Sequence, residues 1–342
     1  MSTLSSRSLV FGAFFALAFC ATPGARADDL RLENDSLPAP LTGQGRIDTV
    51  IEASGVQPIG DGRHVLIAHD KAAPLHVLDL DTGKLVGEPL TSPAFPATSK
   101  TGPKWEGMAR DSEGAFYIVG AHNGKTDAER ASKAHLVRFR LKDSGSPAID
   151  DASVVRWDIT RSLVAGLTAA GLDEKAVGKR KIEGLALRER DGRRELIIGL
   201  REPADKVRAF VADVTGKPDG TALELKPLFA FEAEPREGVP SQLTALEYVP
   251  ALQGFLVVTA SEDADNAFHG NTLWFVADEE PIRARKIGVF EVAMKAEGLT
   301  VLGVEKAGKR IAAKLLITFD NDPHATKIPS RYQTVTLVRE TD

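Results

Sequence analysis

The sequence predicts an all-β fold, specifically a β-propeller with five blades. Three observations lead to this prediction: a phrase that recurs along the chain, a glycine turn after each copy, and a dense apolar strand after each turn. A phrase repeated across a whole chain indicates a repeated structural unit, and four-stranded units of roughly 40–60 residues are typical of propeller blades.

The recurring phrase is Lys-x-Glu-Gly, which occurs at 104–107, 181–184 and 295–298. Two weaker copies, at 52–55 and 242–245, extend the set to five. A glycine follows the third position of each copy after eight to eleven residues, and such glycines suit the positive φ of tight hairpin turns. The predicted turn glycines are Gly62, Gly114, Gly192, Gly254 and Gly308.

Each predicted turn leads into an apolar strand that is too short for a helix. These second strands are predicted at 64–68, 115–120, 195–200, 255–260 and 314–319. Third strands follow at 75–80, 135–141, 207–214, 272–277 and 332–339, and fourth strands at 84–89, 153–159, 222–231 and 283–290. The last unit has no fourth strand, so a strand near residues 30–37 is predicted to supply it and close the ring. Residues 28–342 then form one propeller domain.

The step from Glu106 to Glu183 is the longest between copies of the phrase, and it leaves six blades as the alternative. Apolar residues at helical spacing predict a helix over 161–172, with Thr160 as its cap. This segment is interpreted as a short helical insertion between two blades.

The first 27 residues are predicted to be a signal peptide. Arg7 precedes an apolar run over 9–21, and Ala25-Arg26-Ala27 is a cleavage signal near Ala27. The protein is therefore expected to be periplasmic or secreted. Cys20 is the only cysteine and would be removed, so the mature chain would have no disulfide, thiolate zinc site or cysteine nucleophile.

The net negative charge of the chain argues against binding to a large polyanion. The full chain has a formal charge of −5, and removal of the leader with its two arginines leaves −7. Such a chain has no electrostatic reason to bind nucleic acid or an anionic membrane, and the apolar run of the leader is too short to span one. The chain also lacks H-E-x-x-H, G-x-S-x-G, P-loop and dinucleotide-binding motifs.

A polar site is predicted at the mouth of the propeller channel. The first strand of each blade lines the channel, and the second strand returns to the same rim, so polar residues of both meet there. The predicted metal ligands are Glu106, Glu183, Glu297 and Asp320, and the predicted ligand-binding residues are Lys104, Lys181, Lys295, His122, Arg201 and Glu262.

Three carboxylates in one channel repel one another, and two arrangements would offset the repulsion. Oxygen ligands suit calcium or magnesium, which makes Ca²⁺ the candidate cofactor. Alternatively, each lysine neutralises a glutamate, because residues i and i+2 of a strand share one face. Both arrangements remain open at this point.

The chain resembles a known family. Lys181–Ala186, Gly199–Pro203 and Glu106–Ala109 are similar to segments of the bacterial domain-of-unknown-function family 3616, which has no established activity. More distantly, the Glu-Gly strand start resembles the esterase-like phytase and gluconolactonase-type propellers. That resemblance implies a divalent metal at Glu106, Glu183 and Glu297. Met108, Leu185 and Leu299 stand where the gluconolactonase type has proline, and the basic cluster of a phytase site is not evident.

Three functional hypotheses follow. The leading one is an exported propeller whose channel mouth binds calcium or a small polar ligand. The second is a metal-assisted hydrolase of a phosphoester or a lactone, in which the metal activates water. The third is a non-catalytic scaffold whose channel contains structural ion pairs.

Overall fold

The computed structural model describes residues 30–34, 38–41, 52–70, 72–96, 103–142, 147–265, 267–290, 294–320 and 329–340. The predicted signal peptide lies outside these residues. The strands form five antiparallel sheets, so the all-β fold with five blades is confirmed, and the alternative of six blades is wrong.

Each of the first four blades contains four consecutive strands, numbered from the channel outward. Blade 1 contains β3 (Ala53–Pro58), β4 (His64–His69), β5 (Ala72–Asp79) and β6 (Lys84–Leu90). Blade 2 contains β7 (Trp105–Arg110), β8 (Phe116–Gly120), β9 (Leu136–Leu141) and β10 (Ile149–Trp157). Blade 3 contains β11 (Lys181–Arg190), β12 (Arg193–Glu202), β13 (Val207–Asp213) and β14 (Lys226–Phe231). Blade 4 contains β15 (Ser241–Val249), β16 (Gly254–Glu262), β17 (Phe268–Ala277) and β18 (Ala284–Phe290).

Blade 5 joins the two ends of the described chain. It contains β19 (Lys295–Ala307), β20 (Arg310–Asp320) and β21 (Arg331–Glu340), and its outer strand is β1 (Leu30–Asn34). β1 pairs antiparallel with β21, and the short strand β2 (Ala39–Pro40) pairs with the start of β21. The inner strands contact one another in the cyclic order β3, β7, β11, β15, β19 and back to β3. The ring is therefore closed by a strand from the N-terminal end.

The hydrophobic core lies between the blades. Within the described residues it divides into five clusters, each shared by two neighbouring blades. This division explains why the second strands are apolar throughout, because both faces of each blade pack against another sheet. Trp105 belongs to this core, with no exposed surface and an edge-to-face contact with Phe95.

The helices differ in detail from the prediction. α2 (Thr160–Ala169) occupies the predicted insertion, and α1 (Asp127–Lys133) and α3 (Glu174–Gly178) are additional short helices. Thr160 is the first helical residue rather than the cap. Its N–H donates to Asp158 Oδ1 at 2.8 Å, so an aspartate two residues earlier satisfies this donor.

One turn prediction is also corrected. Gly62, Gly114, Gly192 and Gly308 have the expected positive φ, but Gly254 is the first residue of β16. In blade 4 the left-handed position is taken by Gln253, after a 3₁₀ turn over Pro250–Leu252. A Cβ at Gly254 would lie 2.4 Å from Phe275 Cζ, so packing rather than turn geometry requires glycine there.

Candidate functional site

A β-bulge marks the third position of the phrase in every blade. In blade 3, Ile182 pairs with Leu200 and Gly184 with Gly199, so Glu183 has no residue opposite it. The same irregularity occurs at Glu106, Thr244 and Glu297, and over Ser54 and Gly55 in blade 1. Because a bulge redirects a side chain out of the regular alternation, it places the marked residues of different blades together.

The glycine of the phrase allows neighbouring blades to approach closely. A Cβ at Gly184 would lie 2.8 Å from Leu246 Cβ of blade 4, and a Cβ at Gly107 would lie 2.8 Å from Leu185 N of blade 3. Contacts this short are not tolerated, so each Glu-Gly pair combines a redirected carboxylate with a close contact between blades.

The charged residues at the channel mouth form one connected cluster, here called the mouth network. Lys104 Nζ lies 2.8 Å from Glu106 Oε1, Lys295 Nζ lies 3.0 Å from Glu297 Oε1, and Lys181 Nζ contacts Glu183 Oε1 directly. Each lysine of the phrase therefore contacts its own glutamate. The network consists of Asp70, Lys104, Glu106, Lys181, Glu183, Arg201, Glu262, Lys295, Glu297 and Asp320.

The cations of the mouth network also connect neighbouring blades. Lys104 reaches Asp70 of blade 1 at 2.6 Å, and Lys181 reaches Glu106 of blade 2 at 3.7 Å. Both Arg201 of blade 3 and Lys295 of blade 5 bind Glu262 Oε2 of blade 4, at 2.9 and 3.1 Å. One cation therefore crosses each of the first four seams between blades.

The weaker copies of the phrase contact neighbouring blades through hydrogen bonds. Gln242 stands in the lysine position of blade 4, where its Oε1 accepts from Arg201 Nε at 2.9 Å. Two residues after Gln242, Thr244 Oγ1 donates to the Ala296 carbonyl of blade 5 at 2.6 Å. At the seam between blades 5 and 1, Ser330 Oγ accepts the N–H of Glu52 at 2.7 Å.

Burial and charge affect the three glutamates differently. Burial raises the pKa of Glu106 to about 7, because Lys104 and Lys181 offset only part of the cost of desolvation. Burial also opposes ionisation of Glu183, but Lys181 and Arg201 outweigh it and lower the pKa to about 2. Burial raises the pKa of Glu297 in spite of the charge of Lys295.

Carboxylate partners raise the pKa of three cations of the network. Burial disfavours the charge on Lys104, but Glu106 and Asp70 outweigh burial and raise the lysine pKa. The pKa values of Lys295 and Arg201 are raised in the same way, since their carboxylate partners exceed the effect of burial.

The structure brings together nine of the ten predicted site residues and places His122 elsewhere. His122 is 1% exposed, and burial lowers its pKa to about 3, with further contributions from His135 and Arg180. Those neighbours lie at the border of blades 2 and 3. Conversely, Asp70 belongs to the network and Gln242 binds Arg201 of the network, although neither was among the predicted ligands. The sequence could have indicated Gln242, because it occupies the position that lysine has in the three strong copies of the phrase.

Among the described residues, no group of three or more His, Cys, Asp or Glu side chains is arranged to hold a metal ion. The lysines occupy the space between the carboxylates of the network. Calcium binding stays a prediction.

A second polar layer lies three residues further along the inner strands. Glu247 Oε2 accepts from Gln57 Nε2 at 2.7 Å, and Thr300 Oγ1 donates to Gln57 Oε1 at 3.2 Å. No cation is paired with Glu247 among the residues described, and burial raises its pKa to about 8.

We expect Glu247→Gln to stabilise the protein at pH 8 and to have little effect at pH 4.5. The unfolded carboxyl ionises near its ordinary pKa of about 4.3, whereas the folded one holds its proton to about 8. Stability therefore falls as pH rises between these values, by up to about 1.4 kcal/mol per pH unit. Urea unfolding at several pH values measures the difference. The control is Glu279→Gln, at an exposed residue between β17 and β18. A difference in stability between Glu247→Gln and wild type that does not change with pH would contradict the raised pKa of Glu247.

No helix in the described part of the chain has the length and apolar character needed to cross a membrane.

Comparisons with known proteins show neither a family nor an activity for this chain. No model of a protein family matches the chain, so the resemblance to family 3616 is not confirmed, and no curated protein matches in sequence. Among solved structures, a GH43 β-1,3-galactosidase is 10% identical over 88% of this chain and 94% of its own, with a TM-score of 0.48. The α-L-arabinofuranosidase of Lactobacillus brevis is 12% identical over 83% and 91%, with a TM-score of 0.44.

The periplasmic gluconolactonase of Pseudomonas aeruginosa is 14% identical over 85% of this chain and 72% of its own, with a TM-score of 0.36. The chain spans 64% of the matched chain of hydrazine synthase from Kuenenia stuttgartiensis. Similarity at these levels gives no information about the activity of this protein.

Proposed function

We propose that this protein is a non-catalytic binding propeller whose channel mouth is held together by a structural ion-pair network. The observation that supports this most is that each lysine of the phrase contacts its own glutamate, while the cations also cross the seams between blades. A buried charge is tolerated when it is paired, so the lysines and glutamates of the repeats are explained by one another. Ligands then bind at the loops and grooves around the network.

A second candidate is calcium binding at the blade 5 side of the mouth. Lys295 Nζ lies within 4 Å of three carboxylates: Glu262 at 3.1 Å, Glu297 at 3.0 Å and Asp320 at 3.8 Å. Three carboxylates therefore converge on this side of the mouth, although Arg201 also binds Glu262, and carboxylate oxygens are ligands that calcium prefers.

One titration separates these candidates. Under the first, calcium added to the purified mature protein gives no binding heat, and a chelator leaves the melting temperature unchanged. Under the second, calcium binds and raises the melting temperature, and the double variant Glu297→Gln, Asp320→Asn loses both effects. Asp263→Asn with Asp265→Asn removes two carboxylates from the loop after β16 and serves as the control.

Metal-assisted hydrolysis of a phosphoester or lactone stays a prediction. Turnover of such substrates that is lost with chelator would favour it over both binding proposals.

A further inference from the structure

A cavity separate from the mouth network lies between blades 2 and 3. Its volume is about 590 Å³, within the range of pockets that hold small molecules. Its wall includes the end of β10, the start of α2 and the residue before β11. Trp157, which is 3% exposed, lines it, and its Nε1–H donates to the Pro218 carbonyl at 3.0 Å.

The charged side chains of this cavity are mainly cationic, although the chain as a whole is acidic. The charged lining residues are Arg130, Arg156, Arg161, Arg180, Asp158 and Asp219. Both aspartates accept backbone N–H groups, Asp219 from Arg156 at 2.6 Å and Asp158 from Thr160 at 2.8 Å. One oxygen of each carboxylate therefore accepts a hydrogen bond from the backbone.

Two of these arginines have no carboxylate partner among the described residues. By contrast, Arg63, Arg194, Arg201 and Arg208 bind carboxylates at 2.6–3.2 Å. The guanidinium groups of Arg156 and Arg161 make no ion pair or hydrogen bond with any other described residue. Because a guanidinium presents a planar fork of donors, two such groups at one cavity suit a ligand with oxyanions.

Two further features add to the positive character of the cavity. α2 begins there, since Thr160 and Arg161 are among its lining residues, and the N-terminus of a ten-residue helix carries partial positive charge. Asp158 offsets part of this effect. Arg180 is 8% exposed, and it donates to the Val177 carbonyl at 3.1 Å, which holds this guanidinium at the inner wall.

His122 adds an independent observation. Neither of its ring nitrogens has a hydrogen-bond partner within the described ranges, although the residue is 1% exposed. The residues that act on its charge are His135, Arg180 and Asp158, all of which line the cavity. Buried polar groups are normally satisfied, so a water or a ligand group that reached this ring would complete its hydrogen bonds, although His122 does not itself line the cavity.

We propose that this cavity binds a small molecule bearing a phosphate or carboxylate group, held by Arg156 and Arg161 at its entrance and Arg180 at its inner wall. The site is independent of the mouth network, so it stands whether or not the channel binds calcium.

Calorimetry with the mature protein tests the proposal. The probes are phenyl phosphate and phthalate, which distinguish the two oxyanion classes, and benzamide as a neutral control. We expect one or both anions to bind, with an affinity that falls as salt rises, and benzamide not to bind. The double variant Arg156→Gln, Arg161→Gln should raise the dissociation constant at least tenfold. Both residues are exposed, so the variant should fold normally.

A matched variant controls for net charge. Arg190→Gln with Arg193→Gln removes the same two charges at the opposite end of the β11–β12 hairpin and should bind like wild type. The proposal is overturned if wild type binds neither anion, if the cavity variant binds undiminished, or if both double variants lose affinity equally.

Discussion

Replacing Lys181 by methionine is expected to lower the free energy of unfolding by about 3–5 kcal/mol. The change leaves Glu183, which is 1% exposed, without its nearest cation, and it also removes the contact of Lys181 with Glu106 across the seam. Removing one partner of a buried ion pair has a cost of this size, and because Arg201 still lies 3.2 Å from Glu183, we expect the lower end of the range. Denaturant unfolding at pH 7 measures it.

Two further variants show whether the loss arises from the pair. Lys226→Met removes a lysine whose partner, Glu224, is exposed, and it should change stability by less than about 1 kcal/mol. Adding Glu183→Gln to Lys181→Met removes both charges and should recover part of the loss. If Lys181→Met behaves like Lys226→Met, the network is not structural. If calcium alone restores the variant, the second candidate function is favoured.

Replacing Gly298 by alanine is expected to lower the free energy of unfolding by about 3 kcal/mol or more. The new Cβ would lie 2.1 Å from Thr318 Oγ1 and 2.6 Å from the Ser54 carbonyl oxygen. The side chain of Thr318 can rotate, but the backbone of Ser54 cannot move without separating blades 5 and 1. Overpacking of a core commonly costs about 1–3 kcal/mol, and a clash with backbone lies at the upper end or beyond.

Gly303 provides a control on the same strand. It is exposed, and a Cβ there would meet no atom within 4 Å. Gly303→Ala should therefore change stability by less than about 0.5 kcal/mol, since surface substitutions are usually this small. Thermal and denaturant unfolding of the two variants in parallel gives the comparison. Similar stabilities for both would show that the glycine of the phrase is not required for blade packing.

The predicted fold depended on signals that are local in the chain. Gly62, Asp191 and Gly192 have positive φ in their hairpin turns, because glycine and aspartate tolerate that conformation wherever they occur. The apolar second strands followed from composition alone, since a sheet buried on both faces needs apolar residues on both. Gly254 was misjudged because its requirement comes from Phe275, which is distant in sequence.

The sequence by itself determined the five repeats, their strand order and the positions at which charged residues recur. Only the tertiary structure decided what those charges do. Lys104 binding Asp70 and Arg201 binding Glu262 join residues of different blades, and such contacts depend on blade packing rather than on spacing along the chain. The bulges that redirect Glu106, Glu183 and Glu297 likewise arise from strand pairing. The arginine cavity has the same origin, because it forms where α2 and two blades meet.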